Sequence, residues 1–400
     1  MATNLPGLVT SVRRVGDLVF ALSSQANSQA VTMWRTGSSP AAPLTPAGRL
    51  SFAFPAGFEH STYALAARPM PDGSVALYFN TGARQNSVST PGDVRVGIAA
   101  SGGAAFTAGG GQTLAADSIN RVLVRDDGTS LTVSAPTQIA RGLRNAAGMV
   151  FDGSGNLWLE DNGIDTEGNR GVSFSADELN RVTAADLGTT VPNFGFADTY
   201  VRYADGQTVG PTEGVTAPLA AFLPVDGRKS EGAVELAFAP GPFPGDLAGG
   251  LFVTFSGVFN QGGPANDENP VVFVDPQAGT RFHFISNGVM GHPNGLLATD
   301  AGLFITDLNP TGRFGDPIGA GGTVLTAGGV EADQAGVVYL VAPVPEPATW
   351  AMALAGLAAG GVVLVLRRGR NGRPHAATRG RRSPGAGFEG FPAGEGRGEP

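Results

Sequence analysis

The chain has 400 residues, with 26 lysines and arginines against 34 aspartates and glutamates, a net charge of -8 and no cysteine. Disulfides, thiolate metal sites and cysteine nucleophiles are therefore excluded, and the acidic balance argues against nucleic acid as the main partner. Glycine (61) and proline (29) are abundant, while 15% of residues are charged and 42% hydrophobic. That mixture fits many short strands joined by tight turns, in one large all-β domain with an appendage.

The first 25 residues hold no signal-peptide pattern, because Arg13-Arg14 precede only a short apolar run, Leu18–Leu22. Leu8–Leu22 reads instead as a hairpin turning at Gly16-Asp17, so the chain is expected to start inside a repeated unit. His60 follows a polar turn and precedes two strands, Tyr63–Ala67 and Val75–Phe79, joined by Pro71-Asp72-Gly73. The four histidines, at 60, 283, 292 and 375, leave few general bases near neutral pH. Val88–Leu114 is rich in glycine, alanine and serine and is expected to be a long loop or small insertion. Ser118–Arg125 alternates apolar and polar residues and turns at Asp126-Asp127-Gly128 into Leu131–Ser134.

Gly148–Phe151 and Asn156–Leu159 flank Asp152-Gly153-Ser154-Gly155, where the Asp-Gly pair predicts a tight hairpin with positive φ. A third strand, Leu179–Val182, follows the acids Asp177 and Glu178. Thr199–Val225 reads as a connection. Strand pairs return at Val234–Phe238 with Leu251–Phe255, across Val271–Ile285 around Pro276–Gly279, and at Leu296–Ala298 with Leu303–Thr306. His292, in the lead-in Gly291–Gly295, is a candidate to face a central axis, and Thr323–Val341 supplies the last strands. Five or six regularly spaced hairpin units predict a β-propeller over residues 1–341.

The tail has three parts in order: Pro345-Glu346-Pro347 within a linker at 342–347, an uncharged apolar run Ala348–Leu366, and Arg367-Arg368-Gly369-Arg370 opening a basic segment, 367–400. The nineteen residues of the run, as a helix, span about 28 Å, near the hydrocarbon thickness of a bilayer. The arginines orient that helix with the propeller outside the cytoplasm. The Gly/Pro/Arg-rich segment after it is expected to be disordered.

Two resemblances sharpen these readings. Gly142-Leu143-Arg144-Asn145, Asp152–Gly155, Asp177-Glu178-Leu179-Asn180 and Asn193-Phe194-Gly195-Phe196 fall in one order over about 55 residues. This stretch resembles a blade of the soluble glucose and sorbosone dehydrogenases, which use pyrroloquinoline quinone (PQQ). The resemblance implies a six-bladed propeller, here entered part-way through a blade, and oxidation of a sugar. It makes His60 the catalytic base and Arg144 and Asn145 the quinone contacts. It further implies calcium, held by the backbone carbonyls of Gly163 and Ile164, with Asp177 and Glu178 as acids of a structural calcium site. The family places an acid after the second strand to orient its base, whereas this chain has Gly82-Ala83-Arg84-Gln85. Its later blades offer cations, where this chain has Arg281, His283 and Arg313 in other contexts.

The tail resembles the C-terminal Pro-Glu-Pro sorting signals of Gram-negative bacteria. That implies export, temporary anchoring in the inner membrane by the helix, cleavage near Pro345–Pro347 by an exosortase-type enzyme, and transfer to the cell surface or matrix. Two functions remain open on the residues alone. One is an exported quinone-dependent sugar dehydrogenase. The other is a non-catalytic propeller that binds a glycan or protein at the cell surface.

Overall fold

A computed structural model describes residues 8–25, 28–39, 41–167, 169–224, 231–257, 270–285, 290–307, 325–326, 329–330 and 337–343. The expected membrane helix at 348–366, the basic tail at 367–400 and Arg313 lie outside these residues. Among the described residues all regular elements are strands, and no helix is long and apolar enough to cross a membrane.

Five sheets of three or more strands follow one another along the chain. The first sheet runs Leu8–Val15, Leu18–Gln25, Ser28–Arg35 and Thr45–Ala53, each antiparallel to the last. The second begins with Leu65–Pro69, Val75–Thr81 and Ser118–Asp126. The third is Gly148–Phe151, Leu157–Asp161, Asp177–Val182 and Ala220–Phe222. Ala233–Phe238, Leu251–Phe255, Val271–Asp275 and Thr280–Ile285 make the fourth. Pro293–Thr299, Gly302–Asp307 and Val337–Val341 make the fifth.

The first strand of each sheet packs beside the first strand of the next, from Leu8–Val15 through to Pro293–Thr299. All five first strands line a cavity of ≈ 650 Å³ at one end of the axis, and the first strands of the first, fourth and fifth sheets, with the segments leading into the other two, line one of ≈ 370 Å³ at the other. Consecutive up-and-down sheets set around a shared axis are a β-propeller. The described residues contain five such sheets, against the six that the resemblance implies.

Side-chain alternation explains why second strands between two sheets are buried at both parities. Phe79 packs with the first sheet, against residues such as Phe20, Leu22 and Met33. Its neighbour Tyr78 points the other way, to Met149, Leu157 and Leu159 of the third sheet. Successive strand residues face opposite sides, so a sheet sandwiched between two others must be apolar at both parities. Val75–Thr81, Leu157–Asp161 and Leu251–Phe255 are accordingly buried at every position.

Three expectations are corrected. Val88–Leu114 is not a loop: Arg95–Ser101 and Gln112–Ala115 extend the first sheet, and Ala104–Phe106 pairs in parallel with Leu131–Val133 of the second. Its small side chains hide the alternation that larger ones display. Thr199–Val225 includes the last strand of the third sheet, Ala220–Phe222. In the 152–155 hairpin, positive φ falls on Gly155 (82°). The Asp152 carboxylate closes this loop by accepting from the Ser154 and Asn156 amides and the Trp158 indole.

One device recurs at the second strand. Asn80 Oδ1 accepts the amide N–H groups of Tyr63 and Ala64 at 2.8 and 2.9 Å. The two oxygens of Asp161 accept from Arg144 and Asn145 at 2.9 and 2.6 Å, and those of Asp307 from Gly291 and His292 at 2.8 and 2.9 Å. Each is a clasp between the end of a second strand and the segment leading into the first. Asp307→Ala strands two buried donors and is expected to lower stability by about 2–4 kcal/mol, whereas Asp307→Asn costs well under half of that. Urea unfolding of the two variants measures both.

Candidate functional site

The lead-in segments fastened by these clasps carry the residues singled out in the sequence. His60 donates its amide to the Ala83 carbonyl at 3.1 Å, and Ala83 donates to the Arg144 carbonyl at 2.7 Å. A Cβ at Gly82 would stand 2.7 Å from His60 Cβ and 2.7 Å from the Arg144 carbonyl oxygen, so only glycine lets the two segments meet. His60 and Arg144 are therefore close neighbours, as a shared site requires.

Arg144 is buried, with 3% of its surface exposed. Its Nε donates to the Asn86 carbonyl at 2.9 Å, and Nη2 to Asn86 Oδ1 and Asp165 Oδ2 at 2.7 and 2.8 Å. The guanidinium thus ties the loop after the second sheet's second strand to the loop after the third's. Asn86 completes the link by donating to the Asp165 carbonyl and accepting its amide. The sequence offers no signal for Asn86, because the contact spans 58 residues to Arg144 and 79 to Asp165.

Asn145 donates its side-chain amide to Asn162 Oδ1 at 2.9 Å. It lines the ≈ 370 Å³ axial cavity together with Thr10, Tyr63, Asn162, Asn294 and Thr306. Asn145 Oδ1 and Thr10 Oγ1 are buried and have no hydrogen-bond partner among the described residues. No charged side chain of the described residues contributes to this lining.

In the segment expected to hold calcium, the Ile164 carbonyl and Asp177 make hydrogen bonds within the chain. The Ile164 carbonyl accepts from the Phe174 and Ser175 amides at 2.7 and 3.1 Å. Asp177 accepts from the amides of Gly163 (2.7 Å) and Ala233 (2.9 Å), one on each oxygen, so it fastens the third sheet to the fourth. Glu178 is the next residue on the same strand, where successive side chains take opposite faces. Among the described residues no three acids or histidines converge as a metal site needs.

Arg281 and His283 lie on the outermost strand of the fourth sheet, at the far side from the axis. His292 is fully buried, and its Nδ1 stands 2.7 Å from the Ser256 carbonyl. A carbonyl only accepts, so Nδ1 carries the proton and links the fifth sheet to the fourth.

A second cleft, of ≈ 470 Å³, opens where loops of the first three sheets meet. Asp117 lines it, and among the described residues it alone has positive φ (51°) without being glycine. It is 7% exposed, and its carboxylate accepts from the Thr90 amide and hydroxyl, both at 2.6 Å. Burial raises the Asp117 carboxyl to about 6. The sequence marks this site only by an aspartate ahead of a strand.

Other buried acids are raised for the same reason. Burial holds Asp161 at about 7, Asp177 at about 6 and Glu178 at about 8. Glu160, fully buried, is raised well above the ordinary range by burial and by the charges of Asp177 and Asp161.

Residues 343–370 match the PEP-CTERM protein-sorting motif. No curated protein matches the chain. Among solved structures the chain is similar to the PQQ-bound form of an aldose sugar dehydrogenase from Streptomyces coelicolor. The identity is 14%, over 80% of this chain and 74% of that one, with a TM-score of 0.46. It is also similar to the holo form of the PQQ domain of pyranose dehydrogenase from Coprinopsis cinerea. There the identity is 14%, over 73% of this chain and 77% of that one, with a TM-score of 0.45. Similarities of this size assign no chemistry to this chain.

The raised carboxyls set a pH dependence. A carboxyl whose folded pKa exceeds its unfolded value, about 4, binds its proton more tightly in the folded state. Its contribution is complete below pH of about 4 and is lost as pH rises through the folded value. With Asp117, Asp177, Asp161 and Glu178 at about 6, 6, 7 and 8, the melting temperature should fall steadily from about pH 5 to about pH 8. Melts at constant ionic strength in chelator-containing buffer test this, and a temperature that rises across that window contradicts the assignment.

Proposed function

We propose that the chain is a surface-sorted, non-catalytic β-propeller that binds a neutral, hydroxyl-rich ligand, a glycan, in its axial cavity. The observation that carries this reading is the cavity wall as the described residues form it: amides and hydroxyls from several sheets, no charged side chain, and two buried polar atoms with no partner among those residues, Asn145 Oδ1 and Thr10 Oγ1. Unpaired buried polar atoms are costly, and sugar hydroxyls, each donor and acceptor, satisfy them.

The residues present do not fit PQQ held at Arg144. The quinone's carboxylates need a free planar cation, and the Arg144 fork is engaged by Asn86 and Asp165. Calcium at the Ile164 carbonyl meets a similar difficulty, since two backbone amides already use that oxygen. His60 keeps its place beside Arg144 without an acid to orient it within Gly82–Gln85.

The sorting motif at 343–370 directs the protein to the cell envelope. The finer sequence of events belongs to this proposal: export, anchoring by residues 348–366, cleavage near Pro345–Pro347 by an exosortase-type enzyme, and release to the surface. Mass spectrometry of the mature cell-surface product is expected to show a C-terminus in that region, and an intact Pro400 would overturn it.

The binding site is tested with purified protein and a panel of neutral oligosaccharides. At least one is expected to raise the melting temperature, and Asn145→Leu should abolish that shift while leaving the unliganded melt within a few degrees. Titration with PQQ and Ca²⁺, followed by dye reduction with sugars, is expected to give no turnover. Quinone binding with turnover that His60→Ala removes would replace this reading with the dehydrogenase.

A further inference from the structure

The ≈ 470 Å³ cleft is separate from the axial cavity and shares no lining residue with it. It is built from two unlike sides. The first and second sheets supply Arg95, at the start of strand Arg95–Ser101, and Arg141, at the end of Thr137–Arg141. Arg95 pairs across from Ala115 and Arg141 across from Ser118, so both flank the short turn that holds Asp117. Loops of the third sheet supply Phe196, Asp198 and Glu213.

Apart from Asp117, the charged side chains named in this cleft are left unused by the fold among the described residues. Arg13, Arg35, Arg125, Arg144 and Arg202 each form an ion pair. Arg95 and Arg141 are exposed and their guanidinium groups have no protein partner among the described residues. Asp198 and Glu213 are exposed in the same cleft and pair with neither. The turn between the arginines is rigid by contrast. Asp117 donates its amide to the Gly82 carbonyl (3.3 Å) and accepts at its own carbonyl from Leu143 (3.1 Å). Its carboxylate is clamped by Thr90. Left-handed backbone in a non-glycine residue is held only where surroundings over-determine it, and such positions concentrate at binding sites.

We propose that this cleft is a second binding site, for an acidic oligosaccharide whose sugar rings carry carboxylates. Free guanidinium groups take carboxylates bidentately. The acids on the opposite side accept hydroxyl donors, and Phe196 offers an apolar surface to the C–H face of a ring. A neutral sugar leaves the two arginines unanswered. A polyphosphate or nucleotide carries more negative charge than two carboxylates and is repelled more strongly by Asp198 and Glu213. The volume lies within the range of small-ligand sites.

The test is calorimetric titration of the full chain with digalacturonate, with its methyl ester and with inorganic phosphate. Digalacturonate is expected to bind at least tenfold more tightly than the ester, and to weaken as salt is raised from about 50 to 500 mM. Arg95→Ala with Arg141→Ala should reduce affinity by more than tenfold, Arg141→Lys should restore part of it in the Arg95 background, and Arg202→Ala should leave it unchanged. Both arginines are exposed, so matching melts will show that the variants fold. A neutral glycan saturating the axial cavity should not displace digalacturonate, which separates failure of this site from failure of the axial one. Absence of digalacturonate binding, equal binding of phosphate, or indifference to both arginine substitutions would overturn the proposal.

Discussion

Consecutive sheets of a propeller meet mainly through apolar side chains, which give no direction along the strands. The clasp at the second strand supplies it. Asn80, Asp161 and Asp307 each hold two adjacent amides of the segment entering the same sheet. The amides at 63–64, 144–145 and 291–292 are thereby fixed at one end of the axis, and Tyr63, Asn145 and Asn294 line the cavity there. Either an aspartate or an asparagine can serve because the donors are backbone N–H groups and each side chain supplies an acceptor oxygen. Burial raises the cost of ionising Asp161, and its two amides offset part of that cost.

Lateral fastening between sheets uses different chemistry. Asp177 joins the third sheet to the fourth through Gly163 and Ala233, and Arg144 joins loops of the second and third through Asn86 and Asp165. These are the residue types that a binding or catalytic site also employs. A buried arginine can either present its fork to a ligand or spend it on the fold. At 3% exposure, with acceptors on Nε and Nη2, Arg144 does the second. Arg95 and Arg141, whose guanidinium groups have no protein partner among the described residues, are instead exposed at the edge of a cleft between sheets.

The strands that were legible in the sequence carry large apolar side chains, in a run as in Leu251–Phe255 or in alternation as in Ser118–Asp126, between recognisable turns. Leu251–Phe255 and Gly148–Phe151 coincide with the expected segments residue for residue. Arg95–Ser101 and Gln112–Ala115 escaped notice because they lie at the outer edge of the first sheet, where alanine, glycine and serine suffice. Asn86 and Asp117 escaped for another reason. Their roles depend on partners far along the chain or on backbone shape, and neither leaves a local pattern.

By itself the sequence determined that the chain is an all-β propeller of short hairpin units, that its tail carries a sorting motif at 343–370, and that cysteine chemistry is absent. The propeller follows from local periodicity and turn residues, the sorting motif from its resemblance to known signals, and the last from composition; none needs knowledge of distant neighbours. The tertiary structure alone decided what each polar side chain faces. Whether Arg144, Asp177 and the Ile164 carbonyl are open to a ligand turns on Asn86, Ala233 and Phe174, residues brought to them by folding. Hydrogen-bond capacity is finite, so an oxygen or guanidinium whose capacity is filled by the chain is not available to a ligand, and that allocation is settled only when the sheets close around the axis.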